Sequence, residues 1–175
     1  MTGSQPDVRK RTGKAPSSKI VKKVWIKASK EIVYGCLIEP KELVQWFCDR
    51  ASLSPIEGGE LVAYWRGQKA GRKGRAVITR LVPQKALELL WTDDGNGVLE
   101  MGATHTLSYE IQSKSEMTVL IMTDKDDSVS DEETMDFLDN GWNSILLDLK
   151  DYCERKERTS KLKNHPDLDP DALSE

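Results

Sequence analysis

The chain has 175 residues, a length that one folded domain with tails would account for. Its 26 lysines and arginines against 29 aspartates and glutamates give a net charge of −3, so no overall attraction to nucleic acid is expected. The sequence contains no apolar run near the roughly 20 residues that a membrane-spanning helix needs, and a membrane protein is therefore excluded.

The N-terminal segment, residues 1–19, is predicted to be a disordered basic tail. It contains Gly, Ser, Pro and charged residues but almost no large apolar side chain, so it cannot bury enough surface to compensate for the entropy of ordering. Seven basic residues and one acidic residue precede position 24, and the rest of the chain therefore carries a net charge of −9. Most short basic clusters are merely solvated, and we do not expect nucleic acid as a partner.

A strand followed by two short helices is predicted at the start of the folded part. Residues 20–27 alternate in part between apolar and polar side chains, as in a strand. Ser29 is a suitable N-cap for a short helix that ends at Ile38. Pro40 can occupy the first turn of a second helix, whose apolar face would contain Leu43, Val44, Trp46 and Phe47.

The middle of the chain is predicted to be rich in strands. Short segments of Gly, Pro, Asp, Asn and Ser separate the candidate strands, and connections this short favour an antiparallel meander over parallel pairing. The candidate strands are residues 51–56, 61–66, 74–81, 86–92, 103–111 and 117–123.

The C-terminal part shows the clearest helical pattern. Ser130 and Glu133 have the spacing of a capping box, in which each side chain bonds the backbone amide of the other residue. Gly141 would allow close approach to the sheet or to whatever lies between the sheet and this helix. An apolar stripe with spacings of three and four defines one helix face: Met135, Leu138, Trp142, Ile145, Leu149 and Tyr152. The folded domain is therefore expected at residues 20–158, with a polar acidic tail at 159–175.

This order of elements predicts a two-layer α+β fold in which the last helix lies across the sheet. Five short segments in the correct order match those of a known family: residues 28–34, 39–47, 57–61, 74–77 with Pro83 and Trp91 beyond them, and 141–149. On these segments, which span about residues 20–155, the chain resembles the START-like (SRPBCC) superfamily. Within it, the chain is most similar to the activator homologues of the ninety-kilodalton heat-shock protein's ATPase. Tyr34 stands where the family commonly has Trp, and the usual proline before the first helix is absent.

The resemblance implies a helix-grip fold, in which a curved antiparallel sheet of six to seven strands wraps around a long C-terminal helix, with two short helices after the first strand. It also implies a largely apolar cavity between sheet and helix, where some members of the superfamily bind lipid-like or polyketide-like molecules. The candidate ligand-binding residues of this cavity are Trp46, Phe47, Trp65, Trp91, Met101, His105, Tyr109, Trp142 and Leu149. The alternative is that these large side chains only fill the core.

His105 combines a titratable side chain with an inward position. Residues 107, 109 and 111 are the apolar side chains of this strand, and period-2 geometry places His105 on their face. Such a histidine could hydrogen-bond a ligand, or transfer a proton with the help of Tyr109. Alternatively, it lies at the cavity rim with a backbone carbonyl as its partner.

We therefore expect a protein that binds a small hydrophobic molecule, and we assign no catalytic residue, no metal ligand and no cofactor. The sequence contains no G-x-S-x-G elbow, H-E-x-x-H helix or P-loop motif. Two alternatives stay open. The family name suggests a chaperone partner that stimulates the heat-shock protein's ATPase in a stress response, and the pair of His105 and Tyr109 suggests an enzyme of the cyclase or dehydratase kind.

The cysteines and the first thirty residues indicate the cellular compartment of the protein. Cys36, Cys48 and Cys153 are widely spaced and odd in number, which fits reduced thiols, and the first thirty residues lack the apolar core of a signal peptide. A cytoplasmic protein is therefore expected. With two histidines and no C-x-x-C pair, a zinc site would need unusual ligands. Cys48 could be a thiol at the cavity mouth, but no histidine lies near it in the sequence to activate it.

Overall fold

The computed structural model of the chain describes residues 18–67, 71–93, 104–129 and 131–164. In chain order these residues form β1 (Ser18–Ile26), α1 (Lys30–Ile38), α2 (Pro40–Leu43), β2 (Arg50–Leu53), β3 (Glu60–Trp65), β4 (Arg72–Val82), β5 (Ala86–Asp93), β6 (His105–Lys114), β7 (Met117–Asp126) and α3 (Glu132–Asn164). The predicted elements are found in the predicted order, with ends shifted by a few residues. β1 begins at Ser18 and α3 continues to Asn164, whereas residues 1–17 and 165–175 of the expected tails lie outside the described residues.

The strands of the described residues form one antiparallel sheet in the order β1-β7-β6-β5-β4-β3-β2. From β2 to β7 each strand pairs with the next one along the chain, and β1 is added beside β7. The register between β4 and β5 shifts near Ile78 and Arg80, and irregularities of this kind bend a strand and increase its twist. A curved seven-stranded sheet with a long C-terminal helix is the predicted α+β helix-grip fold, which is thereby confirmed.

The two short helices are positioned by local hydrogen bonds. The Ser29 side chain accepts from the Ile32 amide at 3.4 Å and caps α1, as predicted. Pro40 opens α2, which ends after a single turn. Trp46 therefore lies in the turn that follows α2, not within the helix, and its indole N–H donates to the Cys36 carbonyl at 2.9 Å. This bond ties the turn to the end of α1 and directs the chain into β2.

The double glycine before β3 is required by its surroundings. Gly58 has a φ of 79°, in the left-handed region that disfavours residues with a Cβ atom. A Cβ atom on Gly59 would lie 2.1 Å from the Ser54 carbonyl oxygen, so no larger residue fits there. The tight turn brings Gly59 into hydrogen-bond contact with Ile78 on β4, with the Ile78 amide donating to the Gly59 carbonyl at 2.8 Å. The turn thus sets the start of β3 against β4.

α3 closes the fold with its predicted apolar stripe. The residues of this helix that are buried in the core are Trp142, Leu146, Leu149 and Cys153. Asp131 directly precedes the helix, and its Oδ1 atom accepts from the Thr134 amide at 2.7 Å, while Ser130 of the predicted capping box lies outside the described residues. No helix in the described part of the chain is long and apolar enough to cross a membrane.

Polar contacts bind α3 to the outer strand of the sheet. Lys22 on β1 forms an ion pair with Asp139 at 2.6 Å. The Lys150 ammonium donates to the Trp25 carbonyl at 2.7 Å, and the Lys27 amide donates to the Glu154 carboxylate at 2.8 Å. Side chains of the helix therefore bond the backbone at the end of an edge strand and just beyond it.

Candidate functional site

A cavity of about 390 Å³ lies between the sheet and the N-terminal half of α3. Side chains from β3 to β7 and from the turn after α2 form one side, and α3 forms the other. The residues that line it are Phe47, Trp65, Arg72, Trp91, His105, Leu107, Asp124, Asp126, Phe137, Leu138, Gly141, Trp142 and Ile145.

Three aromatic rings form one wall of the cavity. The Phe47 ring meets the Trp65 ring edge-on at 5.4 Å between centroids, and Trp91 lies 6.2 Å from Trp65. The Trp65 indole N–H donates to the Phe47 carbonyl at 2.7 Å, which fixes both residues relative to each other. The polar end of this indole is therefore satisfied by the protein, and its apolar surface is left to border the cavity.

Gly74 on β4 makes room for the two indoles of this wall. A Cβ atom at this position would lie 2.8 Å from Cζ3 of Trp91, closer than real Cβ atoms come to a neighbour, and 3.0 Å from Cζ3 of Trp65, which is a tight contact. The rings therefore pack directly on the backbone of β4. A side chain at Gly74 would therefore displace rings of the cavity wall.

The opposite end of the cavity is polar and buried. Asp124 on β7 is 5% exposed. Its Oδ2 atom accepts from the Trp142 indole N–H at 2.6 Å, and its Oδ1 atom lies 2.8 Å from Nε2 of His105. Because a carboxylate can only accept, His105 donates from Nε2 in this arrangement. Two strands and the closing helix thus meet at one buried carboxylate, whose burial these two donors compensate.

His105 is held on a second side by Trp91. The two rings are nearly parallel, with an angle of 24° and centroids 6.2 Å apart. The imidazole therefore lies between the aromatic wall and Asp124, and it borders the cavity. The partner at Nε2 of His105 is a carboxylate from the neighbouring strand, whereas one interpretation of the sequence was a backbone carbonyl.

The predicted site residues fall into two groups. Phe47, Trp65, Trp91, His105 and Trp142 line the cavity, as the sequence suggested. Trp46, Tyr109 and Leu149 lie in the core and do not line it, and Met101 lies outside the described residues. For Trp46, Tyr109 and Leu149 the core-filling interpretation is therefore the one that matches their placement.

Tyr109 does not meet His105 at the cavity surface. It is 3% exposed, and burial, together with the nearby charge of Asp124, raises the pKa of its hydroxyl above the ordinary value. Cys48 is also buried, and burial raises the pKa of its thiol to about 11, which is opposite to what a nucleophilic thiol needs. Neither residue is placed or tuned for proton transfer or nucleophilic attack in this cavity.

Sequence reasoning missed Asp124. Its signal was available, because positions 120, 122 and 124 share one face of β7, and a carboxylate there follows Leu120 and Met122 on the inward side. A charged residue on a buried strand face needs partners. The partners themselves, on β6 and α3, depend on the register of strands and on helix position, which a single strand does not reveal.

The mouth of the cavity lies at Gly141 and Phe137 on α3. Phe137 is 76% exposed although it lines the cavity. A Cβ atom on Gly141 would have no neighbour within 4 Å, so the helix does not approach the sheet closely here, and open space lies beside this residue. In the described residues no group of three or more His, Cys, Asp or Glu side chains is placed to hold a metal ion.

Comparison with known proteins identifies relatives by family and by fold. The profile of the family described as "Activator of Hsp90 ATPase homolog 1-like protein" matches residues 27–154. No curated protein matches the sequence.

Several solved structures share the fold. The Aha1 dimer of Colwellia psychrerythraea is 24% identical, with a TM-score of 0.61 over 78% of this chain and 96% of that one. An AHSA1-like protein of Aeromonas hydrophila is 18% identical, with a TM-score of 0.65 over 79% of this chain and 94% of that one. CalU16 of Micromonospora echinospora is 17% identical, with a TM-score of 0.60 over 81% of each chain.

Proposed function

Because the chain belongs to the family of Activator of Hsp90 ATPase homolog 1-like proteins, we propose that it binds a small apolar molecule in the cavity between the sheet and α3. The observation that carries this proposal is the aromatic wall of Phe47, Trp65 and Trp91, which borders open space instead of closing on α3. Small-molecule sites are typically concave, mostly apolar and roughly 300–1,000 Å³ in volume, with a few placed polar groups. The cavity of about 390 Å³ falls within that range.

The lining supports a ligand with a ring or chain body and one polar group. The body would pack on the two indoles, and the polar group would point towards His105 and Asp126 at the other end. Asp124 already accepts from His105 and Trp142, so its role is to hold these two side chains in place. A ligand with several charged groups would leave them against apolar surface and is disfavoured.

The experiment that tests this function blocks the cavity from the helix side. Gly141→Leu places a side chain in the open space at the mouth without meeting a neighbour at its Cβ atom. Ser144→Leu adds the same side chain to an exposed position of α3 that does not line the cavity and serves as the control. Native mass spectrometry of each protein against a library of apolar ring and chain compounds measures one-to-one complexes.

We expect compounds that bind the wild type and Ser144→Leu and do not bind Gly141→Leu. A library in which no compound binds the wild type would contradict the proposed function. So would a compound that binds Gly141→Leu as tightly as the wild type, because its site would then lie elsewhere.

A second candidate function rests on the family alone. Its description names activation of the Hsp90 ATPase, and this chain could act on that chaperone through its surface. Steady-state ATP hydrolysis by the chaperone, with and without a molar excess of this protein, measures the effect. An unchanged rate would remove this candidate, and an increased rate that Gly141→Leu retains would separate it from ligand binding.

A further inference from the structure

A second cavity, of about 360 Å³, lies at the end of β2, β3 and β4, and cationic side chains dominate it. It is bordered by Asp49, Arg50, Tyr64, Trp65, Arg66, Gly71, Arg72 and Lys73. Four of these eight residues are basic and one is acidic. The sequence analysis identified a basic N-terminal segment. The basic residues of this second cavity instead lie on β2, on β4 and just after β3, in a part of the chain whose net charge is negative.

Strand register places the central members of the cluster in one row. Arg50 on β2 pairs with Tyr64 on β3, and Tyr64 pairs with Lys73 on β4. The Arg50 guanidinium lies 4.7 Å and the Lys73 ammonium 5.5 Å from the centre of the Tyr64 ring. Attraction to the ring therefore holds one positive charge from each neighbouring strand against Tyr64.

Within the part of the chain that the structure describes, the basic side chains of this cavity differ from other cations in their ion pairs. Lys22, Lys150, Lys156 and Arg75 each form an ion pair with a carboxylate. By contrast, no carboxylate of the described residues pairs with the side chains of Arg50, Arg66 or Lys73. Asp49 borders the cavity, but its Oδ2 atom accepts from the Arg66 backbone amide at 2.6 Å.

We propose that this cavity binds a phosphate monoester, carried either by a small molecule or by a phosphorylated side chain of a protein. A phosphate monoester carries about −1.5 to −2 charges at pH 7 on three oxygen atoms, and guanidinium groups bind such oxygens in pairs. Clustered positive charges repel one another in the free protein, and a compact dianion removes that repulsion.

A phosphate monoester fits the site better than a nucleic-acid strand does. Strands of nucleic acid are bound by stacking bases on open aromatic rings along a groove. Here Arg50 and Lys73 already lie over the Tyr64 ring, and Arg72 lies over Trp65 at 5.7 Å. A base would have to displace a cation from the ring it stacks on, whereas a phosphate contacts the cations where they are.

The experiment measures binding to the full chain by isothermal titration calorimetry. The probes are glucose 6-phosphate and a phosphoserine heptapeptide, with glucose, the unphosphorylated peptide and a single-stranded oligonucleotide for comparison. The variant Arg50→Gln/Lys73→Gln removes two charges from the row. Its matched control is Lys23→Gln/Lys114→Gln, which also removes two positive charges that lie near one aromatic ring. These two lysines are 5.5 and 5.1 Å from the centre of the Trp25 ring on β1, at the opposite edge of the sheet.

We expect at least one of the two monoesters to bind one to one, and the one that binds more tightly identifies the source of the phosphate. The affinity falls at least tenfold in Arg50→Gln/Lys73→Gln and by less than twofold in the control. Amide chemical-shift changes in the wild type, centred on Tyr64 and Lys73, locate the site even if the variant folds poorly.

The proposal is overturned if neither monoester binds, if both double variants weaken binding equally, or if only the oligonucleotide binds. The cavity between the sheet and α3 is tested separately by Gly141→Leu, so the two proposals can fail independently.

Discussion

The indole N–H of Trp142 donates to the Oδ2 atom of Asp124 at 2.6 Å, and this bond joins the closing helix to the buried end of β7. Trp142→Phe keeps the apolar ring and removes the donor. An unsatisfied buried acceptor costs about 1–3 kcal/mol, and more when it is charged. We therefore expect the free energy of unfolding in urea to fall by at least about 1 kcal/mol.

Trp25→Phe is the control for this change. Trp25 is 39% exposed on the outer face of the sheet. Its replacement should lower the free energy of unfolding by less than the change at Trp142 does. Equal losses in the two variants would show that the bond to Asp124 contributes nothing specific.

Gly74→Ala should destabilise the protein and disturb the aromatic wall. The added methyl group meets Trp91 at 2.8 Å and Trp65 at 3.0 Å, so both rings must move. Overpacking of this kind typically costs about 1–3 kcal/mol. The near-ultraviolet circular dichroism of the indoles should change together with the urea midpoint. An unchanged spectrum and midpoint would mean that the rings do not pack on the β4 backbone.

Gly141→Ala should stabilise the protein, which is the opposite of the effect expected for Gly74→Ala. The same methyl group meets no atom within 4 Å at this position, and alanine is favoured over glycine inside a helix by up to about 1 kcal/mol. The midpoint of thermal unfolding should therefore rise. A decrease would indicate that α3 lies closer to the sheet at Gly141 than the structure shows.

Acid should weaken the contact between α2 and α3 at Glu42. Burial alone would raise the pKa of the Glu42 carboxyl, but hydrogen bonds from Lys156 and Tyr152 and the charges of Lys156 and Lys41 outweigh it, so the pKa lies below the ordinary value of 4.5. The carboxylate therefore contributes stability above its unfolded-state pKa, and this contribution is lost as the pH falls through the lowered folded-state pKa.

Glu42→Gln should consequently be less stable than the wild type at pH 7, and the difference should shrink towards pH 3. Urea unfolding across this pH range measures it. Glu116→Gln, in the exposed turn between β6 and β7, is the control and should show little difference at either pH. If the free energies of unfolding of Glu42→Gln and the wild type differed by the same amount at every pH, the lowered pKa would not belong to Glu42.

The cysteines should be inert towards thiol reagents in the native protein. All three are buried, and burial raises the pKa of Cys48 to about 11. Since the thiolate is the reactive form, modification by a disulfide reagent at pH 8 should be negligible until denaturant is added, when all three should react. Rapid modification of one thiol without denaturant would show that its position opens readily to solvent.

The fold could be predicted because its signals are local. Ser29 before α1, the Gly58-Gly59 turn and the stripe around Trp142 each follow from a few neighbouring residues. Resemblance to a family then supplied the arrangement of these elements, which the match over residues 27–154 supports.

The candidate site could be predicted only in part. Strand parity placed His105 inward, and it lines the cavity. The same parity holds for Tyr109, which is nevertheless in the core, because the distance between sheet and helix decides which inward residues border a cavity. That distance, and the partnership of His105 with Asp124, arise from contacts between elements far apart in the chain.

Lys150 bonds the backbone of β1, and Glu154 bonds the residue just after it, which affects how this edge of the sheet can associate with another molecule. An edge strand exposes unpaired amides and carbonyls, on which a strand of another molecule can continue the sheet and begin an aggregate. At Trp25 and Lys27 these groups are already occupied by side chains of the helix, and an incoming strand would first have to displace them. α3 thereby also protects this edge of the sheet against pairing with a strand of another molecule. Changes that weaken its bonds to this edge should favour aggregation before they unfold the protein.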